Sequence, residues 1–161
     1  MIGQEFSRDM RRGEEPAVEA LLQASFGGTQ EARLVAALRK SGCIAGEVVQ
    51  PQGDDIIGYY ALSQMRGPKG WLCLAPVAVH PAHQGRGVGR RMIGLLSEWA
   101  RLSGQYVVVL GQPDFYARAG FSLARAARLE SPYPVTQTLL AGPGDDVPVK
   151  SLIYPPEFES L

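Results

Sequence analysis

The chain has 161 residues, the size of a single globular domain, and we expect residues 1–161 to form one domain. Apolar residues make up 45% and charged residues 20%, which excludes a disordered chain, and no apolar run is long enough to span a bilayer. Sixteen basic residues balance sixteen acidic ones, so neither nucleic acid nor a membrane is an expected partner. Cys43 and Cys73 lie far apart between apolar residues, which is typical of reduced, buried thiols, and we expect a cytoplasmic location.

The N-terminal part of the chain predicts a short strand and two helices. Gln4–Ser7 is expected to form an edge strand. Apolar residues at helical spacing then predict a helix over Glu14–Ser25. Thr29 is expected to cap a second helix, which ends at Ser41 because Gly42 follows it.

The pattern then changes to the two-residue period of strands. Strands are predicted over Cys43–Gln50 and Ile56–Met65, with a turn over Pro51–Asp55 between them. Trp71–Val79 is so apolar that it predicts a central strand buried on both faces. Pro76 lies inside this strand and has no N–H to donate, so we expect a bulge or a splayed edge there.

A glycine-rich loop leads from this strand into a long helix, predicted over Arg86–Leu102. Its expected apolar face consists of Val88, Met92, Leu95, Leu96 and Trp99. A buried strand over Tyr106–Leu110 and a short helix over Pro113–Ala119 follow.

The C-terminal part predicts further strands and an extended tail. One strand begins at Phe121, and two more are expected over Thr136–Leu140 and Val149–Tyr154. The aromatic residues of the tail Tyr154–Phe158 are expected to pin it to the body of the protein. The order of all these elements predicts an α/β fold with a mixed sheet.

The segment Gln84–Arg90 has glycine at every second position and connects a buried strand to a long helix. Glycine lets a ligand approach the backbone closely and permits positive φ. The first N–H groups of the helix have no internal partner and lie at the positive end of its dipole, so they can bind a pyrophosphate or a similar anion. Arg86, Arg90 and Arg91 favour the same conclusion, because arginines at this end oppose the helix dipole unless an anion is bound.

Other interpretations of this glycine-rich loop are weaker or do not fit. A tight turn that packs the strand closely against the helix is the structural alternative. A dinucleotide-binding fingerprint would need glycine in place of Arg90 and an acidic residue near Tyr106. A P-loop would need Gly-Lys followed by serine or threonine, and the sequence has no such run.

Two motifs resemble those of a known superfamily. Gln84, Gly87 and Gly89 form Q-x-x-G-x-G after an apolar strand, which resembles motif A of the GNAT superfamily of acyl-CoA-dependent N-acyltransferases. The segment Leu110–Phe121, in which Tyr116 precedes Gly120-Phe121 at the motif's spacing, resembles motif B, and the tail Tyr154–Phe158 is similar to that of the bacterial YhbS-like branch. The motif similarity covers about residues 71–123. It implies the GNAT fold, a twisted, mixed and mostly antiparallel sheet with a splayed parallel strand pair and helices on both faces.

The resemblance also implies where acetyl-CoA binds as the co-substrate. The backbone of the central strand would hydrogen-bond the pantetheine arm, and the amides of the glycine-rich loop would hold the pyrophosphate. The cofactor-binding residues implied in this way are Val77, Ala78, Val79, Gln84, Gly85, Arg86, Gly87, Val88, Gly89 and Arg90. An ordinary core strand is a compatible interpretation of the first three.

The implied reaction is transfer of the acetyl group to a primary amine of a small molecule or peptide, by direct attack in a ternary complex. Tyr116 carries over as the acid that protonates the departing thiolate, and its structural alternative is an aromatic residue packed beside Phe115 and Phe121. A backbone N–H near Val79 would stabilise the oxyanion. The N-terminal helices and the Cys43–Met65 strands would form the walls of the acceptor pocket.

The general base is not evident, because the strand Trp71–Val79 contains no acidic residue. The candidates are Glu47, Asp114, His80 and either Tyr59 or Tyr60. The alternative function is a non-catalytic acyl-CoA-binding sensor or interaction module, and a third is a different phosphate-bearing ligand on the same loop.

No metal site is expected. His80 and His83 are three residues apart, but Pro81 prevents a helical arrangement of the two imidazoles and no third ligand is evident. The resemblance also implies that the chain can form a homodimer.

Overall fold

The computed structural model describes residues 5–160, and within them six strands form a single sheet. The strands are β1 (Arg8–Asp9), β2 (Ile44–Gln52), β3 (Asp55–Gln64), β4 (Leu72–Val79), β5 (Val107–Leu110) and β6 (Thr138–Ala141). The helices are α1 (Glu15–Phe26), α2 (Gln30–Ser41), α3 (Val88–Ser103) and α4 (Pro113–Arg118). No helix in the described part of the chain is both long enough and apolar enough to cross a membrane.

The strands lie in the sheet in their chain order, from β1 to β6. Neighbouring strands are antiparallel except for β4 and β5, which are parallel because α3 crosses over between them. Side chains of the sheet alternate between two apolar layers: Leu74 faces the layer that contains α3, and Cys73 faces the layer that contains α2. The predicted mixed, mostly antiparallel sheet with helices on both faces is therefore confirmed.

The N-terminal elements differ from their prediction in two details. The first strand is Arg8–Asp9, whereas residues 5–7 form no strand and Gln4 lies outside the described residues. Thr29 occupies the N-cap position of α2, but its side chain makes no capping hydrogen bond. Its backbone is in the helical region, where the hydroxyl does not point back at the free N–H groups as it does from an extended cap residue.

The central strand β4 is bulged at the proline. Tyr60 of β3 pairs with Val77, and Leu62 pairs with Leu74, so two residues of β4 face one residue of β3. The predicted irregularity at Pro76 is confirmed as this bulge. Only Leu72–Leu74 of β4 are buried on both faces, because Ala75 is half-buried and Val77 and Val79 beyond the bulge are half-buried along a cleft.

The parallel strand pair separates soon after it starts. Its ladder runs from Leu72↔Val107 to Leu74↔Val109, and then β4 continues to Val79 while β5 ends at Leu110. The splayed parallel pair that the resemblance implied is therefore present. The gap between the two strands leaves one edge of β4 available to a ligand.

Helix α3 begins at Val88, two residues later than predicted, because Arg86 and Gly87 still belong to the loop. The residues of α3 that are buried against the sheet are Val88, Gly89, Met92, Ile93, Leu96 and Ala100. Leu95 and Trp99 were predicted on this face but are 59% and 45% exposed. Together with Leu102, they form an exposed stripe beside the buried face.

The C-terminal part has less regular structure than predicted. No strand begins at Phe121, and Ser122 makes only an isolated bridge to Leu140. The segment 149–154 likewise forms isolated bridges instead of a strand, because Ser151 pairs with Glu130 and Ile153 pairs with Gly67, so that neither partner continues alongside it. The tail is not extended: Pro156–Ser160 is a 3₁₀ helix, in which Phe158 is buried against the layer that contains α2.

The two cysteines are both free thiols. Cys73 is buried, as predicted, and its burial raises the pKa of the thiol to about 12. Cys43 is only half-buried, so the prediction of a buried thiol was wrong at this position.

Candidate active site

A cleft of about 800 Å³ opens where β4 and β5 separate. Its walls are the second half of β4, the glycine-rich loop with the first turn of α3, and the segment from Gly111 to Arg118. Of the predicted site residues, those that line the cleft are Val77, Val79, Gln84, Gly85, Gly87, Val88, Gly89, Arg90 and Tyr116. Ala78 and Arg86 are not among its lining residues.

The backbone of β4 is oriented so that alternate residues face the gap. The N–H of His80 donates to the carbonyl of Ile57 in β3 at 2.8 Å. Because the backbone groups of a strand alternate in direction, those of Ala78 also point to β3, whereas those of Val77 and Val79 point into the gap. Of the three strand residues predicted to contact pantetheine, Val77 and Val79 therefore present their backbone groups to the gap, and Ala78 does not.

The carbonyl oxygen of Val79 already has two donors. The hydroxyl of Ser25, near the end of α1, donates to it at 3.1 Å, and the side-chain amide of Gln84 donates to it at 2.9 Å. The Gln84 side chain therefore fixes the loop to the end of β4, instead of pointing toward a ligand. Nothing in the sequence pattern indicated this role.

The loop before α3 presents backbone donors without competition from a side chain. Gly87 is the N-cap residue, so it supplies no capping oxygen. The first hydrogen bond of the helix runs from the N–H of Arg91 to the carbonyl of Gly87 at 3.0 Å. The N–H groups of Val88, Gly89 and Arg90 precede it and are available to an anion.

The three glycines of the loop serve two different purposes. Gly85 and Gly87 have φ of +78° and +80°, a region that residues with a side chain rarely adopt. Gly89 lies inside the helix, where a Cβ would come within 3.2 Å of Phe115 Cζ and 3.4 Å of Val79 Cγ2. The third glycine therefore permits close packing of α3 against α4 and β4.

Tyr116 of α4 lines the same cleft. Its ring makes edge contacts with Phe115 and Phe121, at centroid distances of 4.9 and 6.0 Å. Burial raises the pKa of the phenol to about 12, so it stays protonated at neutral pH and is able to donate a proton. The packing role and the predicted proton-donor role are therefore compatible in one side chain.

Comparison with known proteins identifies the family. Residues 34–123 match the family model of the acetyltransferase (GNAT) domain, which is more than half of the chain. The chain belongs to the GNAT acetyltransferase family. It is 36% identical over 131 residues to the N-acetyltransferase YhbS of Escherichia coli (strain K12), an alignment that covers 76% of this chain and 77% of the relative.

Solved structures agree with this membership. The crystal structure of YhbS from Escherichia coli in complex with CoA superposes with a TM-score of 0.87 at 28% identity, covering 97% of this chain and 92% of that one. A GNAT acetyltransferase from Brucella melitensis in complex with acetyl-CoA has a TM-score of 0.78 at 25% identity, with 95% and 97% coverage. The resemblance to the YhbS-like branch is confirmed, and the chain is an acyl-CoA-dependent N-acetyltransferase.

The GNAT cleft contains no carboxylate among its described lining residues. Glu47, a candidate base, instead accepts hydrogen bonds from Arg39 Nη2 at 2.7 Å and from the Tyr59 hydroxyl at 2.6 Å. This half-buried group joins α2 to β2 and β3, and burial raises the pKa of Tyr59. Glu47 is therefore held in a structural ion pair with Arg39, to which the Tyr59 hydroxyl adds a hydrogen bond.

The remaining base candidates also lie outside the cleft lining. Asp114 is exposed at the start of α4. Nδ1 of His80 accepts a hydrogen bond from the N–H of Ala82 at 3.1 Å, and burial raises the pKa of Tyr60 to about 12. His83, which sequence reasoning did not favour, lines the cleft at its loop end. In the described part of the chain, no group of three His, Cys, Asp or Glu side chains is arranged to hold a metal ion.

The positive charge of the GNAT cleft comes from arginine. Arg90 of α3 and Arg118 of α4 line it, and no lysine is among the described lining residues. Sequence reasoning missed Arg118, which is the last residue of α4 and lies inside the motif B segment, immediately before Ala119-Gly120. Its position two residues after Tyr116 was the only available signal.

Proposed function

We propose that this enzyme transfers the acetyl group of acetyl-CoA to the primary amine of a small molecule or peptide by direct attack in a ternary complex. The observation that carries the proposal is the cleft between β4 and β5, which brings together the inward-facing backbone of β4, the uncapped amides of α3 and the phenol of Tyr116. The relatives bound to CoA and to acetyl-CoA support it.

The cleft accommodates the parts of acetyl-CoA in a definite order. The pyrophosphate lies against the amides of residues 85–90, where the helix dipole and the positive φ of Gly85 and Gly87 favour an anion. The pantetheine arm extends along β4 and hydrogen-bonds the backbone of Val77 and the N–H of Val79. This path brings the thioester toward Tyr116 and the bulge at Pro76.

The reaction needs one proton donor on the protein. The neutral amine attacks the thioester carbonyl, a C–N bond forms, and a backbone N–H on the open edge of β4, beyond those that bind the pantetheine arm, stabilises the oxyanion. Collapse of this intermediate breaks the C–S bond, and Tyr116 donates its proton to the departing thiolate. The nitrogen releases its extra proton to solvent, and the phenolate regains one from solvent, so the enzyme returns to its initial state.

The test combines binding and turnover for one variant pair. Tyr116→Phe should bind CoA in calorimetry with nearly unchanged affinity and should lower kcat by roughly 10²- to 10⁴-fold, as expected for the loss of a general acid. Tyr133→Phe is the matched control, because Tyr133 lies outside the cleft lining and should retain kcat. Absence of CoA binding by the unmodified protein would reject the proposed function, and equal turnover by both variants would reject the role of Tyr116.

A non-catalytic acyl-CoA sensor is the second candidate function. The absence of a carboxylate among the described lining residues of the cleft favours it, because an acceptor amine then has no evident base. A panel of polyamines, aminoglycosides, amino acids and peptides separates the two functions. Tight CoA binding without acetylation of any member would support the sensor.

Three further predictions accompany the proposed function. We propose that the whole chain acts as one GNAT domain. The free thiols of Cys43 and Cys73 favour a cytoplasmic location. A homodimer remains a prediction, for which the exposed stripe of Leu95, Trp99 and Leu102 is the candidate surface.

A further inference from the structure

A second concave surface adjoins the cleft between α3 and α4. This groove has a volume of about 550 Å³, and Gly87, Arg90 and Arg118 line both it and the cleft. A ligand that enters the cleft over the first turn of α3 can therefore continue into the groove without leaving the protein surface. The groove begins beside the amides to which we assign the pyrophosphate.

The groove is positively charged, and no acidic residue in the described part of the chain neutralises this charge. Three arginines line it, Arg90, Arg91 and Arg118, and no acidic residue does so among the described residues. Arg91 contacts the carbonyl of Arg86 at 3.4 Å, whereas Arg90 and Arg118 form no ion pair in the described part of the chain. Two guanidinium groups that converge on one groove without a carboxylate favour a bound anion.

The surface of the groove also leaves room for a ligand. Gly94 on α3 lines it, and a Cβ built at Gly94 would meet no atom within 4 Å. Gly120 lines the opposite side, just after α4. Two residues without side chains thus keep the space between the two helices open beside the arginines.

A different groove on the other side of the loop is less suited to an anion. It contains Arg86, Arg91 and His83, but Glu5 is also among its lining residues. That carboxylate reduces the attraction for a phosphate, whereas the groove between α3 and α4 has no such group among its described lining residues.

CoA carries a phosphate that the amides of α3 do not account for. Beyond its pyrophosphate lies a ribose with a separate 3′-phosphate, and a guanidinium binds such a group through paired, charge-assisted hydrogen bonds. We propose that Arg90 and Arg118 bind this 3′-phosphate in the groove between α3 and α4, so that the enzyme selects CoA over 3′-dephospho-CoA. This inference rests on the proposed function.

Calorimetry with two ligands and charge-matched variants tests the assignment. The unmodified enzyme should bind CoA roughly ten- to a hundredfold more tightly than 3′-dephospho-CoA, the effect expected for charge-assisted hydrogen bonds. Arg118→Gln should lose roughly tenfold or more in CoA affinity and should leave affinity for 3′-dephospho-CoA nearly unchanged. Arg128→Gln removes the same charge from an exposed residue outside the cleft and groove, and it should retain the preference for CoA.

The possible results separate this inference from the function on which it rests. Equal affinity of the unmodified enzyme for the two ligands, or an equal loss for both ligands in Arg118→Gln, overturns the assignment while the proposed function stands. If neither ligand binds the unmodified enzyme, the proposed function fails and this inference fails with it. Arg90→Gln is the second variant, and it should reproduce the selective loss if Arg118→Gln does not fold.

Discussion

Tyr116 is the residue to which the proposed function assigns the proton donor. It lines the cleft, its ring is held between Phe115 and Phe121, and its burial raises the phenol pKa to about 12. An unperturbed tyrosine has a pKa of about 10 and would be half ionised at a pH about two units lower. The shift therefore extends the range over which the acid form is present.

The pH dependence of turnover should reflect this raised pKa. Because the folded enzyme retains the phenol proton until the pH approaches 12, kcat should not fall through tyrosine ionisation between roughly pH 7 and 10. The pH dependence of kcat is measured from the steady-state release of the CoA thiol at several pH values. An alkaline decrease centred near pH 9 that disappears in Tyr116→Phe would contradict the assignment.

Gly111 makes room for the Tyr116 ring. A Cβ at this position would lie 2.5 Å from Tyr116 Cε2, so Gly111→Ala should displace the ring and lower kcat by roughly 10²-fold, the effect of a misplaced catalytic group. Affinity for CoA should change little. The comparison is made by steady-state kinetics and calorimetry on the folded variant.

Gly46→Ala is the matched control for this substitution. A Cβ at Gly46, in β2, would meet nothing within 4 Å, so the variant should behave as the unmodified enzyme does. Full turnover by Gly111→Ala would show that the ring position does not limit catalysis.

The residues of the site differ in how far the sequence could predict them. Glycine spacing before a helix predicted the anion site, because such a site depends on local backbone properties. Gly85 and Gly87 do adopt positive φ. The hydrogen bond from Gln84 to Val79 and the convergence of Arg118 with Arg90 depend on how separate elements pack together. Local patterns carry no information about such contacts.

At the scale of elements, the gap between β4 and β5 determines the site. The bulge at Pro76 disturbs the pairing of β4 with β3. The short parallel ladder leaves the opposite edge of β4, which faces β5, unpaired beyond Leu74. The sequence predicted the disturbance from the missing N–H of proline. The bulge thus marks the position along β4 at which the parallel partner has already diverged.

The C-terminal tail provides a stability test at this scale. Phe158 is 9% exposed and packs against the layer that contains α2, so Phe158→Ala should lower the free energy of unfolding by about 3 kcal/mol. Phe6 is 85% exposed, and Phe6→Ala should change the free energy of unfolding by less than about 0.5 kcal/mol. Urea denaturation of the two variants measures the difference, and equal effects would contradict the packing of the tail.

The elements that were predicted wrongly share a physical cause. Leu95 and Trp99 have the spacing of a buried helix face, but they border an open cavity above the sheet and stay exposed. Residues 149–154 have strand-like composition, yet they form only isolated bridges and pair with no continuous strand. Periodicity identifies apolar positions, whereas burial depends on which neighbouring element is present to cover them.

At the scale of the whole molecule, ligand binding should stabilise the fold. Acetyl-CoA at about 100 times its Kd adds about 2.7 kcal/mol to the free energy of unfolding. For a domain of this size that corresponds to a rise in Tm of roughly 5 to 10 °C, which a thermal unfolding scan measures.

ATP and NAD provide the comparison for this experiment. Each contains a pyrophosphate linkage that the amides of α3 can bind, but neither has a pantetheine arm to pair with β4. Both should therefore raise Tm by clearly less than acetyl-CoA at the same concentration. An equal or larger rise with ATP or NAD would favour a different phosphate-bearing ligand on the same loop.

The described residues that line the cleft and groove include arginines but no lysine, and this choice of cation matters beside a thioester. A thioester acylates unprotonated amines, and a lysine beside it would be a nucleophile within reach, whereas a guanidinium keeps its proton at any physiological pH. Lys40, Lys69 and Lys150 are exposed and line neither surface. Among the described lining residues of the cleft and groove, therefore, no side-chain amine competes with the acceptor for the acetyl group.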